Sequence, residues 1–463
     1  KEILDYFEIV TIIEKLKKAG LLYLVVQKFS EINLGADTID NLEMGYMFEE
    51  LIRKFSEQSN ETAGEHFTPR EVIELMVEVL LDTDLDEITT TDGKVITILD
   101  PACGTGGMLS IAQNKIRALN SRTTVVPFGQ ELNPETYATC KSDMILKNNT
   151  NSKIVFGNSF SEDGFREQKF DYILSNPPFG VEWKKVKNFI ENESKHKGYD
   201  GRFGAGTPRI SDGSLLFLQH MISKMQPIEK GGSRIGIVFN GSPLFSGDAG
   251  SGESEIRKWI IEKDLLEAVI GLPDQLFYNT GISTYVWILT NRKTDRRKGK
   301  IRLINGTSFF GKMRKSLGNK RNEITESDRK EIVRLYSTYE HDENYIDFDN
   351  DDFGYRKITI ECPLYDENRE VVVEKGNPKP NSKLRDTETV PFKEDIHEYF
   401  KREVLPHVPD AWIDEKKTKI GYEIPFTRHF YKFTPLRESS VILDEIKQLE
   451  EKIQKSLNEL FKG

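Results

Sequence analysis

From Val95 to Asn291 the chain repeats one texture, short apolar runs separated by helical or polar segments, and this limits the fold more than any other feature. We read strands at Val95–Leu99, Val126–Glu131, Lys153–Phe156, Tyr172–Ser175, Arg234–Phe239, Leu266–Leu272 and Thr284–Thr290. Strands that alternate with helices build βαβ units and a mostly parallel sheet, so the expected class is α/β. The stretch from Pro273 to Ser283 is too short and broken for a full crossover helix. The last strand is therefore expected to run antiparallel.

The texture changes on both sides. From Asp5 to about Asn60 it is helical, with Met44, Phe48, Leu51, Ile52 and Phe55 on one stripe of an amphipathic helix. We divide the chain into a helical amino-terminal region (1–62), an α/β domain (63–295), a charged, turn-rich extension packing on it (296–435) and a coiled-coil-like helix (436–463). In that last helix Ile442, Ile446, Leu449, Ile453, Leu457 and Leu460 recur at spacings of three and four, a seam that needs burial against its own domain or another subunit. Lys184 to Asp212 reads as a long polar, Gly-rich loop, either functional or unstructured. The Lys/Arg cluster from Arg292 to Arg302 reads as a surface strand boundary rather than a nucleic-acid patch.

Three separated cysteines without C-x-x-C spacing, and seven scattered histidines, form neither a disulfide framework nor a metal site. A reducing cytoplasm is the expected compartment. No run approaches the roughly 18 apolar residues that span a bilayer, so no membrane partner is expected. The formal charge of −10 opposes a chain that grips DNA alone, because phosphate contacts require Lys and Arg. If DNA is the target, a partner carries much of that contact.

Three segments carry chemistry. The first strand runs into Asp100-Pro101-Ala102-Cys103-Gly104-Thr105-Gly106-Gly107 and then a helix. Glycines there admit a ligand against the backbone, and the helix start offers N–H groups. Dinucleotide, nucleotide and methyl-donor sites all use such a loop; G-x-G-G with no Lys-Ser/Thr after it disfavours a P-loop. Glu131, ending the second strand, is placed to accept both ribose hydroxyls of an adenosine, or else serves the dipole of the following helix. Asn176-Pro177-Pro178-Phe179 at the end of the fourth strand is the most specific element. Prolines cannot donate, so the carbonyl of Pro177 can face a ligand. With the Asn176 side chain it offers two acceptors to one NH2 group. Two acceptors draw an aromatic amine's lone pair out of conjugation and make it nucleophilic towards a methylsulfonium. Phe179 would stack on a base flipped from a duplex. Upstream, Thr68 reads as a helix N-cap, Pro69 as the first helical residue and Glu71 as the capping-box partner, with a Phe67–Val72 staple. Capping does not explain why Glu65, His66 and Phe67 precede it.

Through Glu65–Arg70, Asp100–Leu109, Glu131, Asn176–Phe179, Asp212–Ser214, Phe277–Trp287 and Gly421–Tyr431, the sequence resembles the modification subunits of type I restriction-modification enzymes. The resemblance implies a seven-stranded Rossmann-like sheet flanked by helical regions, S-adenosylmethionine as methyl donor, and transfer to N6 of adenine in DNA. It implies that Glu65, His66, Phe67, Thr68, Pro69 and Arg70 contact the cofactor. The same holds for Asp100, Ala102, Gly104, Thr105, Gly106 and Gly107 of the loop, and for Glu131. Asn176, Pro177, Pro178 and Phe179 would hold the flipped adenine. Partners are implied too: a second modification subunit, one specificity subunit that reads DNA, and a restriction subunit acting as motor and nuclease.

Two departures stand out. Family members usually carry a further helical region before the segment matching Glu2–Phe7, so the chain is expected to lack that piece. Gly157-Asn158-Ser159 stands where many related methyltransferases have an acidic residue, leaving Asn158 to hydrogen-bond the adenine ring of the cofactor. The alternative is methylation of a protein glutamine amide, since Asn-Pro-Pro-aromatic recognises a planar NH2 group. A non-catalytic scaffold is opposed by the intact loop, Glu131 and Asn-Pro-Pro-Phe.

Overall fold

Leu266–Gly271 and Thr284–Thr290 are apolar without alternation, and both are buried along their whole length. Such strands need cover on both faces. The computed structural model describes residues 6, 9–33, 38, 68–147, 149, 151–278, 280–317, 319–431 and 438–460. The stripe from Met44 to Phe55 and the residues Glu65, His66 and Phe67 lie outside these. Two compact units divide the chain, Lys1–Pro425 and Phe426–Gly463.

The first unit opens with helices α1 (Ile9–Lys18) and α2 (Leu22–Ser30), neither with a buried residue. Its centre is a sheet containing β1 (Val95–Asp100), β2 (Thr124–Glu131), β3 (Lys153–Phe156), β4 (Tyr172–Ser175), β5 (Arg234–Asn240), β6 (Leu266–Gly271) and β7 (Thr284–Thr290). All seven expected strands are present, with ends shifted by at most two residues. β7 runs antiparallel to both β5 and β6, as the short connection required.

The sheet is larger than expected. β8 (Lys300–Asn305) adds to the β6 edge in parallel. After a hairpin of β9 (Gly311–Leu317) and β10 (Lys320–Glu323), β11 (Tyr345–Asp349) pairs antiparallel with β8. The order of the nine strands is β11-β8-β6-β7-β5-β4-β1-β2-β3. Charge hid β8, because the Lys/Arg cluster at its start is only partly a surface boundary: Arg296, Lys298 and Lys300 are exposed. Lys293, Arg297 and Arg302 are buried. Lys293 pairs with Asp264 at 2.6 Å, Arg302 with Asp347 at 2.7 Å, and Arg297 donates to the carbonyl of Tyr336.

Helix α3 (Arg70–Leu81) buries Val72, Leu75, Met76, Val79 and Leu80, and packs beside α4 (Gly107–Leu119) and α9 (Glu326–Ser337) in the main apolar core. Each such side chain, fully buried, contributes about 1.5–3 kcal/mol. Arg329 ties α9 to α3 through Glu74 and Glu78, both at 2.9 Å. The segment after β2 forms α5 (Pro134–Leu146).

Lys184–Asp212 is not an unstructured loop. It forms a short turn, then α6 (Lys187–Lys197), and it has a small core of its own in which Trp183, Ile190 and Phe203 meet Phe160 and Leu216. Those anchors are too widely spaced to show as periodicity. Helices α7 (Ser214–Ser223) and α8 (Gly252–Glu262) follow. Arg257 of α8, fully buried, donates to the carbonyls of Tyr422 at 2.6 Å and Pro243 at 3.1 Å. It thereby holds a three-stranded antiparallel sheet centred on Gly354–Glu361.

In the second unit, α10 (Ser439–Leu460) leaves Ile442, Ile446, Leu449 and Ile453 exposed, together with Val441 and Leu443. The side chains of Leu457 and Leu460 lie outside the described set. Among the described residues, no helix is long and apolar enough to cross a membrane, and no acidic, His or Cys group could hold a metal ion.

Candidate active site

β1 and β4 are parallel neighbours, with Ile98 opposite Tyr172 and Leu99 opposite Ile173. The glycine-rich loop and Asn-Pro-Pro-Phe therefore leave the sheet side by side at its carboxyl edge, where open α/β sheets bind ligands. Ser175 Oγ donates to Asp100 Oδ1 at 2.9 Å, and the same oxygen accepts from the Ala102 N–H at 3.0 Å. Asp100 is 2% exposed. Burial pushes its carboxyl up to about 7; the bonds from Ala102 and Ser175 oppose this, and the charge of Glu131 adds to it.

Gly104 and Gly106 have φ of +53° and +83°, a region costly to residues with a Cβ. A Cβ on Gly106 would lie 2.7 Å from Cys140 Sγ, whereas one on Gly104 or Gly107 would meet nothing within 4 Å. The loop is thus packed hard beneath and open above. Glu131 accepts from the N–H of Gly104 at 2.9 Å and of Asn133 at 2.7 Å, one through each carboxylate oxygen. The side-chain cap of α5 is Asn133, which accepts from Thr136 at 3.0 Å, and Glu131 lies just before it.

Asn158 Oδ1 accepts from the N–H groups of Phe160 at 2.9 Å and Ser161 at 3.3 Å. What it can offer a ring nitrogen is its amide NH2. Ser159 Oγ donates to the Pro101 carbonyl at 2.5 Å, drawing the loop after β3 onto the glycine-rich loop. Arg202 clamps that loop from the insert, donating to the carbonyls of Ser159 at 3.0 Å and Phe160 at 2.6 Å while pairing with Glu193 at 2.7 Å. Arg202 holds the Glu193 carboxyl below its usual range, against burial, which acts the other way.

Asn176 is 9% exposed, and its Nδ2 donates to Thr68 Oγ1 at 2.9 Å. This overturns the capping-box reading. α3 begins at Arg70 with Pro69 as N-cap and no side-chain cap, and the N–H groups of Val72 and Ile73 bond to the Pro69 carbonyl. Thr68 and Glu71 are engaged instead by distant partners, Asn176 and Lys320. Arg70 pairs with Glu74 at 3.3 Å. Phe179 is 7% exposed and belongs to the main apolar core, so most of its ring is already covered.

Hydrogen bonds thus link Thr68, the loop from Asp100 to Gly107, Glu131, the Asn158 segment and Asn176 into one group. The sequence did not reveal Ser175 and Arg202 as members. Ser175 faces Asp100 only through strand pairing, and Arg202 is one of seven basic residues in the insert with nothing local to distinguish it.

The family model described as N-6 DNA Methylase matches residues 40–354. Among curated proteins, the chain is similar to the type I restriction enzyme MjaIX methylase subunit of Methanocaldococcus jannaschii, 29% identical over 72% of this chain and 55% of the relative. The MjaVII methylase subunit of the same organism is 30% identical over 68% and 50%. The chain thus spans about half the length of these curated relatives. Among solved structures, a type I restriction-modification system methyltransferase subunit from Streptococcus thermophilus superposes with a TM-score of 0.56, at 28% identity, over 66% of this chain and 60% of that one. None of these relatives supports a protein-glutamine target.

Proposed function

The chain belongs to the N-6 DNA methylase family, and on that premise we propose that it methylates N6 of adenine in DNA as the modification subunit of a type I restriction-modification system. The observation that carries this reading is the Ser175–Asp100 bond at 2.9 Å, which sets Asn-Pro-Pro-Phe against the glycine-rich loop.

S-adenosylmethionine, when bound, supplies an electrophilic methyl group. The residues fit it: Gly104 and Gly107 leave open space above the loop, and the Glu131 carboxylate sits beside it. Glu131 would accept from the ribose hydroxyls, Asn158 would donate to the adenine ring, and Thr105 to Gly107 would line the cradle. Asn176 Oδ1 and the Pro177 carbonyl would accept the two hydrogens of the target amine and stabilise the positive charge that develops on its nitrogen. Phe179 would present the uncovered part of its ring to the base. Direct attack needs no covalent enzyme intermediate, and its rate comes from positioning.

Charge and exposure support the partners that the resemblance implies. A net charge of −10 fits a chain whose DNA reading is supplied by a specificity subunit. The apolar stripe of α10 suits contact with such a subunit. A second modification subunit and a restriction subunit would complete the assembly.

The test is transfer from labelled S-adenosylmethionine to unmethylated duplex DNA by the chain co-expressed with its specificity subunit, followed by digestion to nucleosides. Label in N6-methyl-2′-deoxyadenosine is expected. Label confined to protein glutamine, or no cofactor uptake, would overturn the proposal.

A further inference from the structure

We propose that Thr68 is a positioning residue for the transfer, holding the Asn176 carboxamide with its donor end turned away from the substrate; this rests on the amino-methylation reading above. A primary carboxamide has two ends of similar shape and opposite character, one accepting and one donating. Its terminal torsion is broad, so local sterics alone do not fix which way it faces. A substrate NH2 group needs the accepting end. The donating end would set donor against donor and leave buried hydrogens unsatisfied.

Thr68 takes that donating end. Its Oγ1 accepts from Asn176 Nδ2 at 2.9 Å, across 108 positions of sequence. Oδ1, at the other end of the same planar group, is then the end directed away from Thr68. Burial of Asn176 protects the bond from exchange with water.

Thr68 is held firmly enough for this. The residue before a proline is confined to extended backbone, and Pro69 has φ −56° and ψ 140°. The start of α3, which follows, is anchored by Glu71 of its first turn to Lys320 and by Glu74 of the next turn to Arg329. The hydroxyl does not cap α3, since no side chain does. Loss of a cap would cost stability alone, whereas loss of this bond should cost turnover as well.

Thr68→Val keeps the shape and removes the acceptor; Thr68→Ser keeps the hydroxyl. Both are measured beside Asn176→Ala in the chain assembled with its specificity subunit, with S-adenosylmethionine affinity and thermal midpoint as separate readouts. Thr68→Val should lower kcat about tenfold or more with cofactor affinity near wild type and a midpoint only slightly lowered by the unpaired Asn176 donor, and Thr68→Ser should recover most of both losses. Unchanged kcat in Thr68→Val would overturn the proposal. So would a matching loss of cofactor affinity, which would make Thr68 a cofactor contact, or a serine variant no better than valine. Methylation surviving in Asn176→Ala would strike the parent reading. An inactive Asn176→Ala beside an unimpaired Thr68→Val would strike only this one.

Discussion

Ser175 and Asp100 end adjacent parallel strands, and the serine hydroxyl donates to the aspartate carboxylate at 2.9 Å. One residue beyond Ser175 stands Asn176, and one turn beyond Asp100 stands the glycine-rich loop. The two segments assigned to base and cofactor are fixed to each other by this contact. Ser175→Ala should cost about 1–2 kcal/mol in denaturant unfolding and lower turnover, because Asp100 loses a donor in a fully buried place. Wild-type stability and turnover together would count against the link.

Asp100 also carries a pH signature. Its folded-state value of about 7 lies above the ordinary aspartate value of 3.8. Between about pH 4 and 7 the folded chain therefore holds a proton that the unfolded chain has released, so stability falls as pH rises through that window. The contribution is fully present below the window and lost above it. Comparing unfolding free energies at pH 5 and pH 8, wild type should decline more than Asp100→Asn, by up to about 3 kcal/mol, since only the span from pH 5 to about 7 is sampled. Equal slopes would contradict this.

The loop can be tested through two glycines with similar backbone. Gly93 (φ +70°) and Gly106 (φ +83°) both sit in the left-handed region, yet only at Gly106 would a Cβ meet other atoms, Cys140 Sγ at 2.7 Å and Met144 Cε at 2.9 Å. Gly93→Ala should cost about 1 kcal/mol, and Gly106→Ala about 2–4 kcal/mol with weakened S-adenosylmethionine binding. Calorimetry of both variants distinguishes strain alone from strain with a clash.

Arg202 holds the insert to the site. Arg202→Ala removes its ion pair with Glu193 and the bonds to the carbonyls of Ser159 and Phe160. Breaking a mostly buried pair from one side costs about 3–5 kcal/mol. Proteolysis within residues 184–212 should accelerate markedly in this variant and remain slow in wild type.

Removing residues 435–463 should leave cofactor affinity unchanged and weaken co-purification with the specificity subunit, since the apolar stripe of α10 would be gone. A complex of undiminished stability would refute that role.

Much of this was legible in the sequence. Each of the seven strands announced itself by apolar content, and the antiparallel β7 followed from a connection too short for a helix. β8 escaped because Arg302 and the basic residues before it look like surface, whereas Asp264 and Asp347 pair with Lys293 and Arg302 and the Tyr336 carbonyl accepts from Arg297 inside the fold. Thr68 and Glu71 matched a capping box, and distant partners claimed both; a local pattern cannot foresee Asn176 or Lys320. Trp183, Ile190 and Phe203 order the insert as a cluster, a long-range effect that periodicity does not record.

The central claim stands on the Asn176 carboxamide, and Asn176→Ala tests it most directly. In the assembled chain, methyl transfer to N6 of adenine should fall at least about a hundredfold while S-adenosylmethionine affinity stays within about twofold of wild type. A folded, cofactor-binding Asn176→Ala variant that methylates adenine at the wild-type rate would contradict the account.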